Sequence, residues 1–264
     1  MSEKHLLEKI EDKVATITLN RPKFLNALTR DMLDDLYTLL SKYASNPLVG
    51  SIILTGEGSA FCSGGDVKAM ASGRDDGVSL EQRARELRRR MEISTLLHEI
   101  NKPTIAMIRG PAAGAGMSLA LACDIRIASD NARLITAFSK VALSGDFGGS
   151  WFLTNLVGPA KAKELYFLSE KILSEEALSL GLFNIVVEDN ELEEKTYNIA
   201  RHLANGPLVA LDYMKKNLNA AISQPLSVCL DLEALHHART TQTEDHSEAS
   251  RSFVEKRKPI FRGC

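Results

Sequence analysis

The chain has 264 residues, 44% of them hydrophobic and 25% charged, which are ordinary values for a globular protein. Its 34 acidic and 32 basic residues leave a net charge of −2, which argues against a general nucleic-acid binder because such proteins carry a clear basic excess. No segment approaches the ~18 uninterrupted apolar residues of a membrane span. The four cysteines, Cys62, Cys123, Cys229 and Cys264, are far apart and are typical of reduced thiols in a cytoplasmic compartment.

Strand and helix patterns alternate over the first two thirds of the chain. Residues 13–19 (KVATITL) alternate polar and apolar positions and predict a half-buried strand. Residues 49–55, 104–108 and 124–128 are short apolar runs that indicate buried strands. Thr29 is a candidate N-cap for a helix with one apolar face. The alternation predicts an α/β architecture.

The last quarter of the chain has helical patterns and no strand pattern. Helices are predicted over residues 193–204, 208–222 and 226–238. We therefore predict a core over residues 1–191 and a helical subdomain over residues 192–264. The last of these helices carries an apolar stripe that could pack on the core or on another subunit, formed by Val228, Leu232 and Leu235.

Two segments between the second and third strands have unusual compositions. Residues 71–79 (ASGRDDGVS) are rich in glycine, serine and aspartate, which predicts a mobile loop. A cluster of arginines follows, and it is either a solvated helix face or a phosphate-binding surface: Arg83, Arg85, Arg88, Arg89 and Arg90.

Two glycine-rich turns follow strands and open helices. They are residues 61–66 (FCSGGD) and residues 110–116 (GPAAGAG). Small residues let a ligand approach the backbone, and a helix start presents unpaired N–H groups. If the two turns converge, their amides form an oxyanion hole. Each turn taken alone is better explained by a structural role than by a functional one.

Other motifs are incomplete. The second turn lacks the third glycine of a dinucleotide fingerprint, and the chain has no GxxxxGK[ST] phosphate loop. The sequence around Ser118 misses a nucleophile elbow by its last residue, which argues against a hydrolase. The adjacent His236 and His237 face different directions on a helix, and no histidine has a neighbouring ligand pattern, so no metal site is predicted.

Three segments, in this order, closely resemble the crotonase superfamily: ITLNRPKFLNAL, VGSIILTGEGSAFCSGGDVKAM and KPTIAMIRGPAAGAGMSLALACDIRIAS. The C-terminal FVEKRKPIFRG is also similar to that family. The resemblance covers residues 13–263. It implies an α/β spiral of repeated ββα units, followed by a helical region that assembles trimers or paired trimers.

The resemblance also implies a substrate and its contacts. The substrate is an acyl-CoA thioester whose carbonyl accepts hydrogen bonds from the amides of Gly65 and Ala115. CoA enters as part of that substrate, and no other cofactor is implied. The positions that match CoA contacts in similar proteins are Lys23, Leu25, Ser63, Asp66, Val67, Phe253 and Lys256.

The chain departs from the hydratases of this superfamily at two positions. Where they have catalytic glutamates, this sequence has Ser118 and Phe138. A carboxylate appears instead at Asp146, in SGDFGGSW, which is similar to a turn of the isomerase branch that includes ring-epoxide isomerases of phenylacetate breakdown. Gly145 stands where proline is commoner. Dehalogenases of the superfamily also use an aspartate here, but they add an aromatic tryptophan and a histidine, where this chain has Phe138 and Met91.

These residues predict an enoyl-CoA isomerase in which Asp146 moves a proton between carbons. An apolar setting from Phe138, Phe147 and Trp151 would make Asp146 basic enough. One alternative is a hydratase, with water held by Ser118. A second, from another class, is a non-catalytic acyl-CoA binder, or a protein whose arginine-rich helix binds RNA. The structural, non-catalytic interpretation of Asp146 is a turn or cap residue, since aspartate favours such positions.

Overall fold

A computed structural model describes residues 4–67 and 77–264 of the chain. The described strands are β1 (Leu6–Glu11), β2 (Val14–Leu19), β3 (Ser51–Gly56), β4 (Thr104–Ile108), β5 (Pro111–Ala113), β6 (Ile125–Ser129), β7 (Arg133–Ile135), β8 (Ile172–Leu173) and β9 (Ile185–Val187). The described α-helices are α1 (Arg30–Ser45), α2 (Leu80–Arg90), α3 (Glu92–Glu99), α4 (Ala115–Ala122), α5 (Gly149–Leu168), α6 (Ser174–Ser179), α7 (Leu192–Ala204), α8 (Leu208–Ala221), α9 (Leu226–Thr240) and α10 (Glu244–Val254).

The strands form two sheets. The larger has six strands in the order β1-β2-β3-β4-β6-β9, and the smaller has three in the order β5-β7-β8. In the larger sheet β1 pairs antiparallel with β2. The strands β2, β3, β4, β6 and β9 are parallel to one another. Because β5 follows β4 directly and pairs with β7, the chain passes repeatedly between the sheets. The α/β prediction and the positions of its four strands are confirmed, and β1 was missed because its outer residues are exposed. The prediction that β2 is half-buried is wrong, because the hydrophobic clusters cover both faces of the sheet at this strand.

The larger sheet is packed on both faces, which explains why its strands are apolar runs. On β3, Ile52 and Leu54 face the main hydrophobic cluster with α1, and Ile53 faces a second cluster with α7. Alternate residues of a strand point to opposite faces, so one short run serves both clusters. The helix α7 therefore packs directly on the sheet through residues such as Leu192 and Ala200.

The helix α1 begins where the sequence predicts. The side chain of Thr29 accepts a hydrogen bond from the amide of Met32 at 3.2 Å, which satisfies one of the unpaired N–H groups of the first turn. The apolar stripe of this helix is buried against the sheet, with Leu36 and Leu40 completely enclosed. This packing fixes the segment before α1, which carries the turn at Lys23 and Leu25.

Residues 192–254 consist mostly of helices, and the three predicted helices are present as α7, α8 and α9. A fourth helix, α10, was missed because the sequence EDHSEASRSFV is mostly polar. Its start is capped by Thr243, whose side chain accepts from the amide of His246 at 3.1 Å. In the predicted stripe on α9, Val228 and Leu235 are exposed within the single chain.

The predicted loop at residues 71–79 lies mostly outside the described residues. Its last three residues, 77–79, carry no helix or strand, and Ser79 caps α2 by accepting from the amide of Gln82 at 3.2 Å. The start of the arginine-rich helix is thereby fixed.

Candidate active site

The two glycine-rich turns meet in the fold. The amide of Ala113 donates to the carbonyl of Cys62 at 2.8 Å, which ties the end of β5 to the turn after β3. Gly64 has a φ of +93°, and a Cβ added there would lie 2.9 Å from the carbonyl oxygen of Ala113. Only glycine tolerates both the backbone conformation and this close approach. The convergence predicted from the sequence is therefore present.

Two backbone amides face the space between these turns. Ala115 is the first residue of α4, so its N–H has no intrahelical acceptor. Within residues 4–67 and 77–264, no hydrogen bond is donated by the amide of Gly65 or of Ala115. Both residues line a cavity of about 640 Å³. Such a pair of free donors in one cavity is suited to binding an oxygen that becomes negative.

Asp146 lines the same cavity beside Phe147. It lies in the turn before α5, where its carbonyl accepts from the amide of Gly149 at 3.0 Å. Its carboxylate Oδ1 is buried and has no hydrogen-bond partner in the described part of the chain. Burial raises the pKa of Asp146 to about 6, because desolvation penalises the charged form. A carboxylate with this pKa is able to accept and return a proton near neutral pH.

Two of the other charged side chains that line the cavity, Asp66 and Arg90, form ion pairs. Asp66 contacts the guanidinium of Arg21 at 3.2 Å. Two of the five clustered arginines, Arg83 and Arg90, line the cavity, and Arg90 lies 3.9 Å from Glu86. The cluster is divided by its position, since Arg88, which pairs with Glu92, and Arg89, which pairs with Asp34, do not line the cavity.

Two predicted CoA-contact positions, Ser63 and Leu25, are joined by a hydrogen bond. The amide of Ser63 donates to the carbonyl of Leu25 at 2.9 Å, and its hydroxyl donates to the carbonyl of Phe24 at 3.3 Å. These bonds fasten the exposed turn at Lys23 and Leu25 to the first glycine-rich turn. Val67 is exposed at the end of the first described range. These positions form one continuous edge beside Asp66 and Gly65.

The other two predicted CoA-contact positions, Phe253 and Lys256, lie outside the cavity. They lie at the end of α10 and just beyond it, Phe253 is 85% exposed, and neither lines the cavity. A role for them in CoA binding stays a prediction.

The three residues expected to line the active site occupy different environments. Ser118 is buried in α4, and its hydroxyl donates to the carbonyl of Gly114 at 3.2 Å. Phe138 is buried and stacks on Tyr166 with ring centroids 5.7 Å apart. Neither lines the 640 Å³ cavity. Phe138 contacts Tyr166, and the hydroxyls of Ser118 and Tyr166 both lie close to Gly149.

The position of Trp151 contradicts the prediction that it contributes to an apolar setting around Asp146. It is 44% exposed and lines a second cavity, of about 440 Å³, together with His98 and Phe152. Trp151 is two residues beyond Gly149 on α5, and a shift of two positions turns a side chain to roughly the opposite side of a helix. Of the three aromatic residues proposed to surround Asp146, only Phe147 lines its cavity.

Tyr166 is a residue of this region that the sequence did not reveal. Its hydroxyl is buried and has no hydrogen-bond partner among the described residues. Burial, followed by the negative charge of Asp146, raises the pKa of Tyr166 to about 12. No motif marks this tyrosine, which lies 20 residues after Asp146 near the end of a helix interrupted at Gly158. Its approach to Asp146 depends on that interruption, which a helical pattern does not specify.

The described residues contain no group of three or more His, Cys, Asp or Glu side chains arranged to hold a metal ion. They also contain no helix that is long and apolar enough to cross a bilayer.

Comparisons with known proteins decide the family. Residues 9–263 match the family model described as enoyl-CoA hydratase/isomerase. The chain belongs to this family, within the crotonase superfamily. It is 39% identical to a protein of Rhodobacter capsulatus named probable enoyl-CoA hydratase, over 97% of this chain and 96% of that protein. It is 35% identical to the 1,2-epoxyphenylacetyl-CoA isomerase of Escherichia coli, over 98% of both chains.

The fold is also that of the superfamily. The crystal structure of an enoyl-CoA hydratase from Bacillus anthracis matches 99% of this chain and 100% of its own with a TM-score of 0.92 and 31% identity. The crotonase fold predicted from the sequence is therefore confirmed. The enoyl-CoA hydratase/isomerase family acts on acyl-CoA thioesters, and this chain is a crotonase-family acyl-CoA enzyme.

Proposed function

We propose that this enzyme is an enoyl-CoA isomerase that moves a double bond with Asp146 as its proton carrier. The observation that supports it best is the environment of Asp146. Its buried Oδ1 has no hydrogen-bond partner among the described residues, its pKa is raised to about 6, and it shares a cavity with the free amides of Gly65 and Ala115.

The two amides polarise the thioester. With the carbonyl oxygen between the N–H groups of Gly65 and Ala115, negative charge that develops on this oxygen is stabilised. Loss of one such donor typically costs roughly 3–4 kcal/mol of transition-state stabilisation. The protons at C2 of a 3-enoyl thioester become acidic as a result, because the electrons released at C2 delocalise onto the oxygen.

Asp146 carries the proton. Its ionised carboxylate removes a proton from C2, and the protonated acid returns a proton to C4 while the double bond forms between C2 and C3. One group serves for both steps, because the reaction is a net transfer within the substrate. A carboxyl group with a pKa of about 6 is suited to this exchange, since it is mostly ionised at neutral pH yet basic enough to take a proton. The reaction transfers no electrons, and CoA enters and leaves with the substrate.

The residues at the two glutamate positions of the hydratases support an isomerase. Hydration requires one group to activate water and another to manage the proton. The hydroxyl of Ser118 is engaged with the carbonyl of Gly114, and the Phe138 ring has no proton to exchange. Rearrangement of a ring epoxide of an aryl-acetyl thioester is a related reaction, and the Escherichia coli relative carries that name.

Hydration is the second candidate, because the Rhodobacter capsulatus relative is named as a hydratase. In that case Asp146 would activate the water. A panel of 2-enoyl, 3-enoyl and aryl-acetyl-derived CoA thioesters, followed by mass spectrometry, separates the candidates. We expect 3-enoyl-CoA to be converted into an isomer of unchanged mass. Faster addition of water to 2-enoyl-CoA would identify a hydratase instead, and binding without turnover would identify an acyl-CoA-binding protein.

We further propose that the chain assembles as a trimer or a dimer of trimers through its C-terminal helices. Apolar side chains on these helices are exposed in the single chain, including Leu218, Leu226, Leu235 and Phe253. Exposed apolar surface of this extent usually marks an interface. The neighbouring subunit would then bring Phe253 and Lys256 to the CoA site. Sedimentation of the intact protein tests this proposal, and a stable, fully active monomer would contradict it.

A further inference from the structure

The turn that carries Asp146 lies directly over the side chain of Tyr166. A Cβ added to Gly145 would lie 3.2 Å from Cε1 and 3.5 Å from the hydroxyl of Tyr166. A Cβ added to Gly149 would lie 2.7 Å from the same hydroxyl. The Tyr166 hydroxyl is therefore enclosed by both ends of the five-residue turn, and Asp146 is the second residue of that turn.

Gly145 and Tyr166 fit each other. Gly145 has a φ of +115°, which proline cannot adopt because its ring fixes φ near −65°. Because Gly145 has no side chain, the Tyr166 ring can pack against the backbone at this position. Phe138 stacks on the other part of the ring with an interplanar angle of 17°. The turn is thus supported from beneath by a tyrosine whose orientation is fixed by packing.

Two complementary polar atoms are left without partners at this point. In the described structure, the Tyr166 hydroxyl, a donor, and the Asp146 Oδ1, an acceptor, are both buried and make no hydrogen bond. Leaving such groups unpaired is costly, and hydrogen bonds of active sites often tighten only when substrate binds. The other nearby hydroxyl belongs to Ser118, which already donates to the carbonyl of Gly114 at 3.2 Å.

We infer that Tyr166 is a positioning residue for Asp146, and that its hydroxyl donates a hydrogen bond to the ionised Asp146 carboxylate in the working enzyme. This inference rests on the proposed function, in which Asp146 is the proton carrier. The hydrogen bond orients the carboxylate toward the cavity and favours its charged, proton-accepting form. Tyr166 does not touch the substrate, since it does not line the 640 Å³ cavity.

The ionisable groups that surround Asp146 leave its own titration readable. Behind the turn are the Cys62 thiol and the Tyr166 phenol, and burial raises the pKa of each to about 12, so that neither titrates near pH 6. Across the cavity are Arg30, Asp31, Asp66, Arg83, Glu86 and Arg90. A substitution at Tyr166 removes none of these charges, so a change in the pH profile reports on Asp146.

The test is the pH profile of kcat for isomerisation in Tyr166→Phe, because kcat reports the pKa of Asp146 in the enzyme–substrate complex, where the hydrogen bond is formed. Without the donor, the midpoint of the acidic limb should rise by about 0.5–1 pH unit, the size expected for one hydrogen bond to a charged group. KM should be unchanged. The matched control is Tyr43→Phe, which removes another buried tyrosine hydroxyl, one that donates to Glu8 at 2.7 Å, and should leave the midpoint where it is.

A second variant keeps the hydroxyl of Tyr166. Incorporation of 3,5-difluorotyrosine at position 166 makes the phenol a stronger donor, and the midpoint should then move to lower pH. An unchanged midpoint with this residue overturns the inference, including in the case that Tyr166→Phe does not fold. Asp146→Asn in the same series separates the two proposals. If it is inactive while both Tyr166 variants keep the wild-type midpoint, the inference fails and the proposed function stands. If it is fully active, the proposed function fails.

Discussion

Two regions of this enzyme enclose an aspartate, and they treat it in opposite ways. At the start of β6, Asp124 Oδ2 accepts from the ammonium of Lys215 at 2.8 Å, the amide of Thr104 at 2.7 Å and the hydroxyl of Thr104 at 3.0 Å. Before α5, the Asp146 Oδ1 is buried with no partner in the described structure. Both lie in one chain and one fold, so the contrast comes from their local surroundings.

The difference separates an aspartate that holds the structure together from one suited to chemistry. A buried charge that is paired and hydrogen-bonded is compensated, and it fixes β6 and α8 relative to the strand that carries Thr104. A buried carboxylate without such partners has its pKa raised, and that of Asp146 is raised to about 6. Shifts of this kind cluster at functional sites, although structural networks produce them as well.

The largest expected effect is the loss of turnover in Asp146→Asn. The amide cannot accept and return the proton, so isomerisation should fall by about 10²-fold or more, the usual effect of losing a general base. Affinity for an acyl-CoA should persist, because the amides of Gly65 and Ala115 remain. Initial rates with 3-enoyl-CoA and calorimetric titration with a saturated acyl-CoA measure the two quantities. Near wild-type turnover would remove Asp146 from the mechanism.

The reverse outcome is expected for Asp124→Asn. Lys215, whose side chain is only 10% exposed, would keep the carbonyls of Leu97 and Lys102 but lose its carboxylate. We expect a loss of about 2–3 kcal/mol in the free energy of unfolding, somewhat below that for a fully buried pair. Turnover per folded molecule should stay within about twofold of the wild type. Urea denaturation and active-site-normalised rates check this. A stable but inactive variant would show that Asp124 serves turnover and not stability.

The sequence revealed one side of this contrast better than the other. Asp146 stood in a recognisable glycine-rich turn, and the two turns that carry Gly65 and Ala115 followed strands whose ends could be predicted to converge. Asp124 was assigned only to a strand run, because its partner Lys215 lies 91 residues away on another helix. No local pattern reports on such a contact.

The layer behind the cavity could not be predicted either. Trp151 was expected beside Asp146, but the helix turns it toward His98, with ring centroids 5.3 Å apart. Tyr166 carries no motif and reaches the turn only because α5 is interrupted at Gly158, just before Pro159. Motifs identify backbone turns well since these need particular residues, whereas side-chain neighbours depend on how helices bend and cross.

The pH dependence of kcat/KM should also distinguish the two aspartates. Only the ionised form of Asp146 accepts a proton, and burial raises its pKa to about 6. The value of kcat/KM should therefore be level above this pH and fall about tenfold for each unit below it. Stopped assays between pH 4.5 and 9 with 3-enoyl-CoA measure the profile. In Asp124→Asn the acidic limb should keep its position. A shift of the limb in this variant would contradict the assignment of the titration to Asp146.

The smallest expected effect concerns stability. The pKa of Asp146 is raised in the folded protein from 3.8 to about 6, so between these values the native state holds a proton that the unfolded chain releases. The free energy of unfolding therefore falls as the pH rises through this window, and above pH 6 the whole cost of the buried charge is present. Asparagine carries no charge and escapes this cost.

Asp146→Asn should thus be more stable than the wild type at pH 8, by about 1–2 kcal/mol after allowance for the partial exposure of the side chain. At pH 4 the difference should nearly vanish, since the wild-type carboxyl group is then protonated in the folded state. Thermal melts of both proteins at the two pH values check the sign and the window. Asp124→Asn serves as the control, because it should be less stable than the wild type at pH 8. A difference for Asp146→Asn that was equal at both pH values would mean that desolvation is not what raises the pKa of this carboxylate.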